Sequence, residues 1–273
     1  MTTENLNRYL QSYLLLFLAV CLVPSSLTGQ QTTHPSVQRD EKATNVLRNA
    51  VRAAGSTDIL DFVRDFKGSG KITYYWAGEE VQGDVTVLAR GTRQFRLDAS
   101  LPEGVRSLTV NGGDGSLKEA SGEVKPLPSH NTENFGSVTF PAAALAEALR
   151  DSSFGVYYIG SETKEDHQVD HIRLQKTFNN DPQGLLSRLT RKDFFIDAST
   201  FQVVSTLDML HPERQSGVDY PHEVQFSDYR QVEGILVPFA ITEITSGQRT
   251  FTIQLNQFTA NTGLFDRDFQ IHP

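Results

Sequence analysis

The strongest candidate for a metal site in this 273-residue sequence is a polar run at residues 166–171, in which His167 precedes His171 by four positions. On a helix, two histidines at this spacing converge on one metal ion. The run alternates polar and apolar residues and continues with Ile172 and Leu174, which is typical of a strand. On a strand the histidines lie about 13 Å apart, at about 3.3 Å per residue, which is too far to share a metal ion. We therefore expect a polar strand and no metal site.

Two other polar runs have the residue types that catalysis or ion binding would need. Residues 219–223 hold a histidine and two acids, but Pro221 and the apolar residues from Val224 onward predict the start of a strand. Residues 111–115 are rich in glycine, but they lack the lysine of a P-loop and the spaced acids of an EF-hand, so we interpret them as a wide turn. No G-x-S-x-G motif occurs. We expect a protein that is not an enzyme and needs no cofactor; an esterase-like or sugar-active enzyme is the disfavoured alternative.

The charge balance of the amino-acid sequence disfavours two classes of binding partner. The chain has 25 basic and 33 acidic residues and a formal net charge of −8, which disfavours nucleic acid as a partner, because phosphates demand a basic surface. The same balance disfavours steady electrostatic binding to anionic lipid. The only cysteine is Cys21, inside the N-terminal apolar run. If that run is removed, no disulfide can form, and stability must come from packing.

The first thirty residues resemble an export signal. Arg8 gives a weakly positive start, residues 13–23 form an apolar run of eleven, and residues 24–29 are small and polar. Eleven apolar residues are too few to span a bilayer but fit a signal peptide. We assign residues 1–29 to the signal peptide and 30–39 to a flexible leader. Two alternatives remain open: an uncleaved membrane anchor, and lipidation at Cys21, although Val20 is bulky for a lipobox.

After the leader the sequence predicts helices at two places. Leu47, Val51 and Ala54 recur at helical spacing, Gly55 is a plausible C-cap, and a short second helix follows through Val63. Residues 140–150 hold a proline suited to a first helical turn, followed by good helix formers. A single helical turn is expected at 185–189 inside a loop.

Most of the remaining sequence alternates with period two and is interrupted by turn residues, which is typical of consecutive antiparallel strands. No shift of composition marks a second domain, so we expect one domain over residues 40–273. The predicted strands include 71–76, 105–110, 155–163, 169–177, 194–196, 203–210, 222–229, 235–245 and 250–258.

Three segments, at residues 193–204, 226–239 and 261–269, resemble those of the bacterial outer-membrane lipoprotein carriers, the Lol-type lipoprotein-localisation superfamily. Residues 193–204 are similar to that family's strand–turn–strand motif, residues 226–239 to its hairpin ending in proline, and residues 261–269 to its closing segment. The resemblance implies a mainly β (α+β) fold: an antiparallel open half-barrel sheet with an N-terminal helix and a mid-chain helix packed against it. It also implies that the concave side holds acyl chains or other lipid.

Period two also predicts which apolar residues share a face. We hypothesise that several such sets line one apolar cavity, while the alternative is a sheet whose core is filled and dry. The candidate ligand-binding residues are Tyr74, Trp76, Phe95, Leu97, Phe226, Val237, Phe239, Phe251 and Ile253.

Together these observations predict an exported, non-enzymatic binding protein that holds lipid or the acyl chains of a lipoprotein in the periplasm or outside the cell. The alternative function is a structural or protein-interaction module of the envelope, with an envelope protein as its partner. The alternative location is the membrane, through an uncleaved N-terminal segment. We expect a monomer that binds no nucleic acid.

The signal assignment predicts that the exported form begins between residues 25 and 32, because the apolar run fits a signal peptide and not a membrane span. N-terminal sequencing of exported protein checks this. An intact Met1 in the membrane fraction would instead indicate an anchor, and acylated Cys21 a lipoprotein.

Overall fold

The computed structural model describes residues 37–136 and 138–271. The described helices are α1 (Glu41–Ala53), α2 (Thr57–Phe62), α3 (Ser129–Phe135), α4 (Pro141–Arg150) and α5 (Leu185–Leu189), with a 3-10 helix at Asp266–Phe269. The described strands are β1 (Asp65–Trp76), β2 (Glu79–Arg90), β3 (Gln94–Leu101), β4 (Gly104–Asn111), β5 (Asp114–Lys118), β6 (Val124–Pro126), β7 (Phe154–Lys164), β8 (His167–Lys176), β9 (Lys192–Asp197), β10 (Val203–Leu210), β11 (Tyr220–Val232), β12 (Ile235–Thr245) and β13 (Gln248–Ala260).

All thirteen strands form one antiparallel sheet in the order β6-β5-β4-β3-β2-β1-β13-β12-β11-β10-β9-β8-β7. The first and last strands of the chain therefore pair in the middle of the sheet, while β6 and β7, which are consecutive in sequence, lie at opposite edges. The sheet is open, and the mainly β, antiparallel half-barrel architecture is confirmed. The chain must cross from one edge to the other between β6 and β7, and helices α3 and α4 lie in that crossing segment.

One face of the sheet, which we call the inner face, carries the core. Leu47 and Val51 of α1 and Leu145 of α4 are fully buried, and they share a single apolar cluster with strand residues such as Ile72 and Val87. The alternation of β1 and β2 explains this, because every second residue of each strand points to the same face. The predicted packing of an N-terminal helix and a mid-chain helix against the sheet is confirmed. We call α1, α3 and α4 the helical cover.

Close approaches and irregular pairing accompany the bending of the sheet. A Cβ on Gly70 would lie 2.1 Å from the carbonyl oxygen of Gln254, and one on Gly83 would lie 2.2 Å from that of Ser100. The register shifts in four strand pairs, including β1 with β13 between Ser69 and Gly70. Bulges and strand glycines are the usual means by which a wide sheet bends towards a barrel.

The structure corrects the sequence interpretation at two places. The predicted wide turn at 111–115 is a tight two-residue turn: Asn111 pairs with Asp114, and Gly112 takes a φ of 66°, which glycine adopts without strain. Helix α3 and the short strand β6 were not predicted. The α3 sequence, SHNTENF, carries no helical apolar repeat, and three residues are too few to display period two.

A row of buried charged side chains crosses the inner face of four neighbouring strands, β9 to β12. Lys192 Nζ lies 3.1 Å from Asp208 Oδ2, Asp208 Oδ1 lies 2.8 Å from His222 Nδ1, and His222 Nε2 lies 3.0 Å from Glu243 Oε1. Lys192 also donates to the carbonyl oxygen of Asn134 in α3 at 2.8 Å. We call these four strand residues the ionic row. It joins the sheet to the helical cover.

Burial and charge act in opposite directions on the ionic row. Burial favours the neutral imidazole, but the Asp208 and Glu243 carboxylates outweigh it and raise the pKa of His222 to about 10. Burial likewise favours the protonated acid at Asp208, yet Lys192 and His222 lower its pKa. At neutral pH His222 is therefore held protonated and Asp208 ionised, and removing one member of the row would leave an uncompensated buried charge.

The raised pKa of His222 predicts an alkaline loss of stability. A histidine whose folded pKa exceeds its unfolded value of 6.5 stabilises the fold fully below pH 6.5. That contribution is lost as the pH rises towards 10, by at most about 1.4 kcal/mol per pH unit. Urea denaturation of the wild type between pH 6 and 9.5 should show this decline, and His222→Gln should be less stable at pH 6 with a flatter profile.

The matched control is His130→Gln, at a half-buried histidine of α3 that forms no ion pair within the described residues. Its pH profile should follow that of the wild type. Equal slopes for the wild type and His222→Gln would show that the imidazole does not carry a charge in the folded protein.

Candidate functional site

The nine candidate ligand-binding residues lie on the inner face. Eight of them belong to the main apolar cluster and are at most 7% exposed: Tyr74, Phe95, Leu97, Phe226, Val237, Phe239, Phe251 and Ile253. The ninth, Trp76, is 37% exposed at the end of β1. The structure therefore brings these residues together across the sheet, beneath the helical cover and packed by neighbouring side chains.

The exposed end of β1 is an aromatic and basic cluster. Tyr74 and Trp76 stack with their ring centroids 4.8 Å apart, and the guanidinium of Arg106 lies 4.8 Å from the first centroid and 5.4 Å from the second. Arg106 Nε also lies 2.9 Å from Glu119 Oε2. Burial raises the pKa of Tyr74, while the charge of Arg106 opposes that rise. Arginine over aromatic faces is a stabilising contact, so this cluster closes the inner face at its rim.

An apolar cavity lies between the helical cover and the opposite end of the strands. It has about 310 Å³ of space, counting its open mouth, but only about 20 Å³ is wide enough for the centre of a water molecule. Its walls come from α1, the start of α4, the β9–β10 turn and the β11–β12 hairpin: Ala50, Ala53, Ala54, Phe140, Pro141, Ala142, Leu145, Phe201, Gln202, Val203, Tyr229, Leu236 and Pro238.

Backbone contacts fix the walls of this cavity. The amide of Leu236 donates to the carbonyl oxygen of Ala54 at 2.9 Å, which ties the end of α1 to β12. Tyr229 donates its hydroxyl to the carbonyl oxygen of Val203 at 2.8 Å, and burial raises the pKa of this tyrosine. Gly55 takes a φ of 134°, and a Cβ there would lie 2.7 Å from the oxygen of Gly234. The helix must therefore end in glycine at this point to approach the hairpin so closely.

None of the nine sequence-derived candidates lines this cavity. Its lining includes alanines of α1 that the sequence places on a helix, and Tyr229 and Pro238, which lie within the hairpin that carried the family resemblance. Those signals were present in the sequence. What could not be derived is the position of α1 over the β11–β12 hairpin, which depends on packing between distant segments.

The outer face of the sheet has a small second cluster. Phe195 packs with Val169 and Val204 there, while its neighbour Phe194 points into the main core. The imidazole of His171 lies 4.4 Å from the Phe195 ring, measured between centroids, and Lys164 Nζ lies 4.3 Å from that ring's centroid. Aromatic residues on both faces of β9 therefore serve two separate clusters.

The two histidines of residues 166–171 bind different acids. The prediction that they lie on a strand is confirmed by β8. His167 Nδ1 lies 2.7 Å from Asp197, whereas His171 contacts Glu162 at 2.9 Å and Asp193 at 3.3 Å. Within residues 37–136 and 138–271, no group of three or more histidines, cysteines or acids is placed to hold a metal ion.

The polar contacts around Asp197 resemble part of a catalytic triad but have different connectivity. Asp197 accepts hydrogen bonds from the Ser199 hydroxyl at 2.6 Å and from the backbone amides of Ser199 and Thr200 at 2.9 and 2.7 Å. In a triad the histidine lies between the nucleophile and the acid, whereas here serine and histidine both bind the same acid. The carboxylate caps the β9–β10 turn, as Asp commonly does.

On the outer face of the sheet, Arg173 donates two hydrogen bonds of 2.7 and 2.9 Å to the carboxylate of Asp193. Burial favours the protonated acid, but Arg173 and His171 outweigh it and lower the pKa of Asp193 to about 2. This carboxylate is therefore held as an ion by its neighbours and is not poised to exchange protons near neutral pH.

The predicted signal peptide, residues 1–29, lies outside the described residues, as does most of the leader. Of the leader, Arg39 forms a bridge with Val156 of β7. Among the helices of the described part, none combines the length and apolarity that a membrane crossing requires.

No protein-family model matches the sequence, and no curated protein matches it. Solved structures do resemble the chain. A LolA superfamily protein from Nitrosomonas europaea matches with a TM-score of 0.53 and 12% identity over 84% of this chain and 97% of that one. A domain from Vibrio parahaemolyticus, described as an outer membrane lipoprotein-sorting protein, matches with a TM-score of 0.52 and 12% identity over 84% and 96%.

A DUF1329 family protein from Desulfovibrio piger matches with a TM-score of 0.50 and 13% identity, over 84% of this chain and 97% of that one. All three likenesses span nearly the whole of the compared structure, so they concern a complete domain and not a shared fragment. At 12–13% identity they bear on the fold alone. The chain therefore has the same fold as the LolA superfamily protein from Nitrosomonas europaea and the other two structures.

Proposed function

We propose that this chain is an exported, non-enzymatic binding protein of the cell envelope that takes up an apolar chain, such as the acyl chain of a lipid or lipoprotein. The observation that carries the proposal is the apolar cavity between the helical cover and the sheet. Its walls are apolar apart from Gln202 and the Tyr229 hydroxyl, and it has a mouth. Two of the similar structures are named for lipoprotein sorting or the LolA superfamily, which supports a ligand of this class.

The cavity must widen before it can hold such a ligand. Sites for small molecules have volumes of about 300–1,000 Å³, whereas here about 20 Å³ admits a water molecule's centre. The ligand would therefore bind a state in which part of the cover has moved outward. Its apparent affinity would then be reduced by the fraction of molecules in that state.

Helix α4 is the part of the cover that is least costly to move. Apart from Pro141, its buried side chains are Leu145 and the alanines 142, 146 and 148. At about 0.8 kcal/mol per buried carbon and 1.5–3 kcal/mol for a leucine, their burial contributes about 4–5 kcal/mol. Burial of about twelve methylenes of an acyl chain would offset this with about 10 kcal/mol as an upper bound. The ligand would also have to offset the polar contacts of α4 with Arg39, Thr92 and Asp61.

The nine inner-face candidates would line the site once it has widened. Phe226, Val237 and Phe239 lie in β11 and β12, the two strands that also supply the cavity residues Tyr229 and Leu236. A chain that enters at the cavity and lifts α4 would contact these residues next. They would form the floor of the expanded site, and the other candidates would extend that floor towards Trp76.

The competing function is a structural or protein-interaction module whose core stays filled. The dense packing of the eight buried candidates favours it. The two functions differ in one measurable property, because only a binding protein would take up an apolar probe.

The test is uptake of a fluorescent fatty acid by the wild type and by Ala53→Leu. Ala53 is half-buried and lines the cavity, so a leucine there would fill it. The wild type should bind the probe, and the variant should bind it about tenfold more weakly or worse, the loss of about 1.4 kcal/mol. The matched control is Ala143→Leu, a half-buried alanine of α4 that does not line the cavity. Its affinity should equal that of the wild type.

Melting curves of both variants should show that they are folded. If the wild type takes up no probe, the binding function is wrong and the structural module replaces it. If Ala143→Leu weakens uptake as much as Ala53→Leu, the ligand enters elsewhere than through this cavity.

A further inference from the structure

A second groove lies on the other flank of α1 and is lined mainly by arginines. About 510 Å³ of this open groove is wide enough for the centre of a water molecule, and its walls are Arg39, Arg48, Arg52 and Arg150, together with Thr44, Leu149 and Ser152. Residues 44, 48 and 52 follow each other at steps of four and so share one side of α1. Ala50, Ala53 and Ala54 line the apolar cavity from the opposite side of the same helix. The groove and the cavity are therefore separate.

Three of the four arginines of this groove have no ion-pair partner within the described residues. No acid is among the lining residues, although the whole chain carries a net charge of −8. Within the described part of the chain, Arg150 pairs with Asp61, whereas Arg39, Arg48 and Arg52 form no ion pair. Arg48 donates only to Asn45 Oδ1 at 2.7 Å. Arg48 and Arg52 thus face the groove without an acidic partner, whereas the charge of Arg39 also acts on the Asp151 carboxylate and lowers its pKa.

Contacts within the protein explain the positive charges of Arg39 and Arg52 but not that of Arg48. Arg39 donates to the carbonyl oxygens of Ala148, Asp151 and Phe154 at 2.9–3.3 Å and so satisfies the end of α4. Arg52 lies in the last turn of α1, where a positive charge is favoured by the helix dipole. Arg48 lies in the middle of α1, one turn before Arg52, where like charges repel and destabilise a helix. A bound anion would turn this repulsion into attraction.

We propose that this groove binds a phosphate group or a similar anion with several oxygens. The planar fork of arginine matches phosphate geometry with paired hydrogen bonds. A concave site lined by one sign of charge also concentrates the opposite ion. The Ser152 side chain adds a hydroxyl group to the lining, whereas the Thr44 hydroxyl already donates to the carbonyl oxygen of Asp40. Arg48 and Arg52 are the residues whose guanidinium groups are least engaged by the protein, so they would make the principal contacts. This site would exist whether or not the apolar cavity takes up an acyl chain.

Two sources supply such an anion, a free phosphate and the head group of a phospholipid. Leu149 is the one large apolar side chain in the groove, and it would touch the first carbons attached to a head group. Titration calorimetry at low ionic strength would distinguish the sources with two probes, inorganic phosphate and dodecyl phosphate below its micelle concentration. Dodecyl maltoside, which has a neutral head, serves as the reference amphiphile.

The informative variant is the double substitution Arg48→Gln and Arg52→Gln. It should weaken phosphate or dodecyl phosphate binding by about tenfold or more, because two charge-assisted contacts are lost. The matched control is the double substitution Arg64→Gln and Arg267→Gln. These arginines are exposed, lie outside the groove and form no ion pair within the described residues. The control removes the same net charge and should leave affinity within about twofold of the wild type.

Each result of these titrations either supports the phosphate site or contradicts it. Binding of inorganic phosphate that the Arg48/Arg52 variant loses supports a free anion as the ligand. Binding of dodecyl phosphate alone, again lost in that variant, supports a lipid head group. The site is wrong if neither phosphate probe binds, if dodecyl maltoside binds as tightly as dodecyl phosphate, or if both double variants weaken binding equally. Ala53→Leu should retain phosphate binding, which separates a failure here from a failure of acyl-chain uptake.

Discussion

The open edges of the sheet are the constraint on which the rest of the molecule depends. Strands β6 and β7 do not pair with each other, so the sheet curves without closing, and its apolar inner face lacks the opposite wall that a closed barrel would supply. The chain itself must cover that face. The segment that crosses from β6 to β7 does so with α3 and α4, and α1 completes the cover from the N-terminal side. Fold, stability and any ligand site all depend on how firmly these helices are held.

The contacts that hold the helical cover on the sheet differ between its two ends. At one end, the ionic row crosses β9 to β12, and Lys192 bonds the backbone of α3, while Phe135 of the same helix lies 5.7 Å from the His222 ring, measured between centroids. Separating α3 from the sheet there would expose or unpair buried charges, which is strongly unfavourable. At the other end of the same strands, the contacts are those of alanines, Leu145 and a poorly filled cavity, together with the uncharged hydrogen bonds from Leu236 to Ala54 and from Tyr229 to Val203. Opening is therefore easier at the cavity end.

The sequence is informative where structure depends on local periodicity. Strands β10 and β12 and helix α5 begin and end where the sequence predicts them, since alternation and turn residues such as Glu233 and Gly234 are local signals. The shared face of Val224 and Phe226 within β11 also follows from alternation, whereas only the register with β12 places them beside Ile241 and Glu243. The ionic row was not predicted, although His222 shares its parity with Val224 and Phe226, which indicates an inward side chain. Its partners come from three other strands, and only the register of those strands brings them together.

The contrast between the two ends also limits how a ligand site could form. If the whole cover had to leave, the ligand would have to offset the burial of α1, with Val46, Leu47 and Val51, as well as the ionic row. A single acyl chain would not supply that free energy. Because α4 is rich in alanine and lies over the end without the ionic row, its displacement would expose less apolar surface than removal of the whole cover. An opening between helices and sheet would then begin at the small cavity, and the ionic row would confine it to that end.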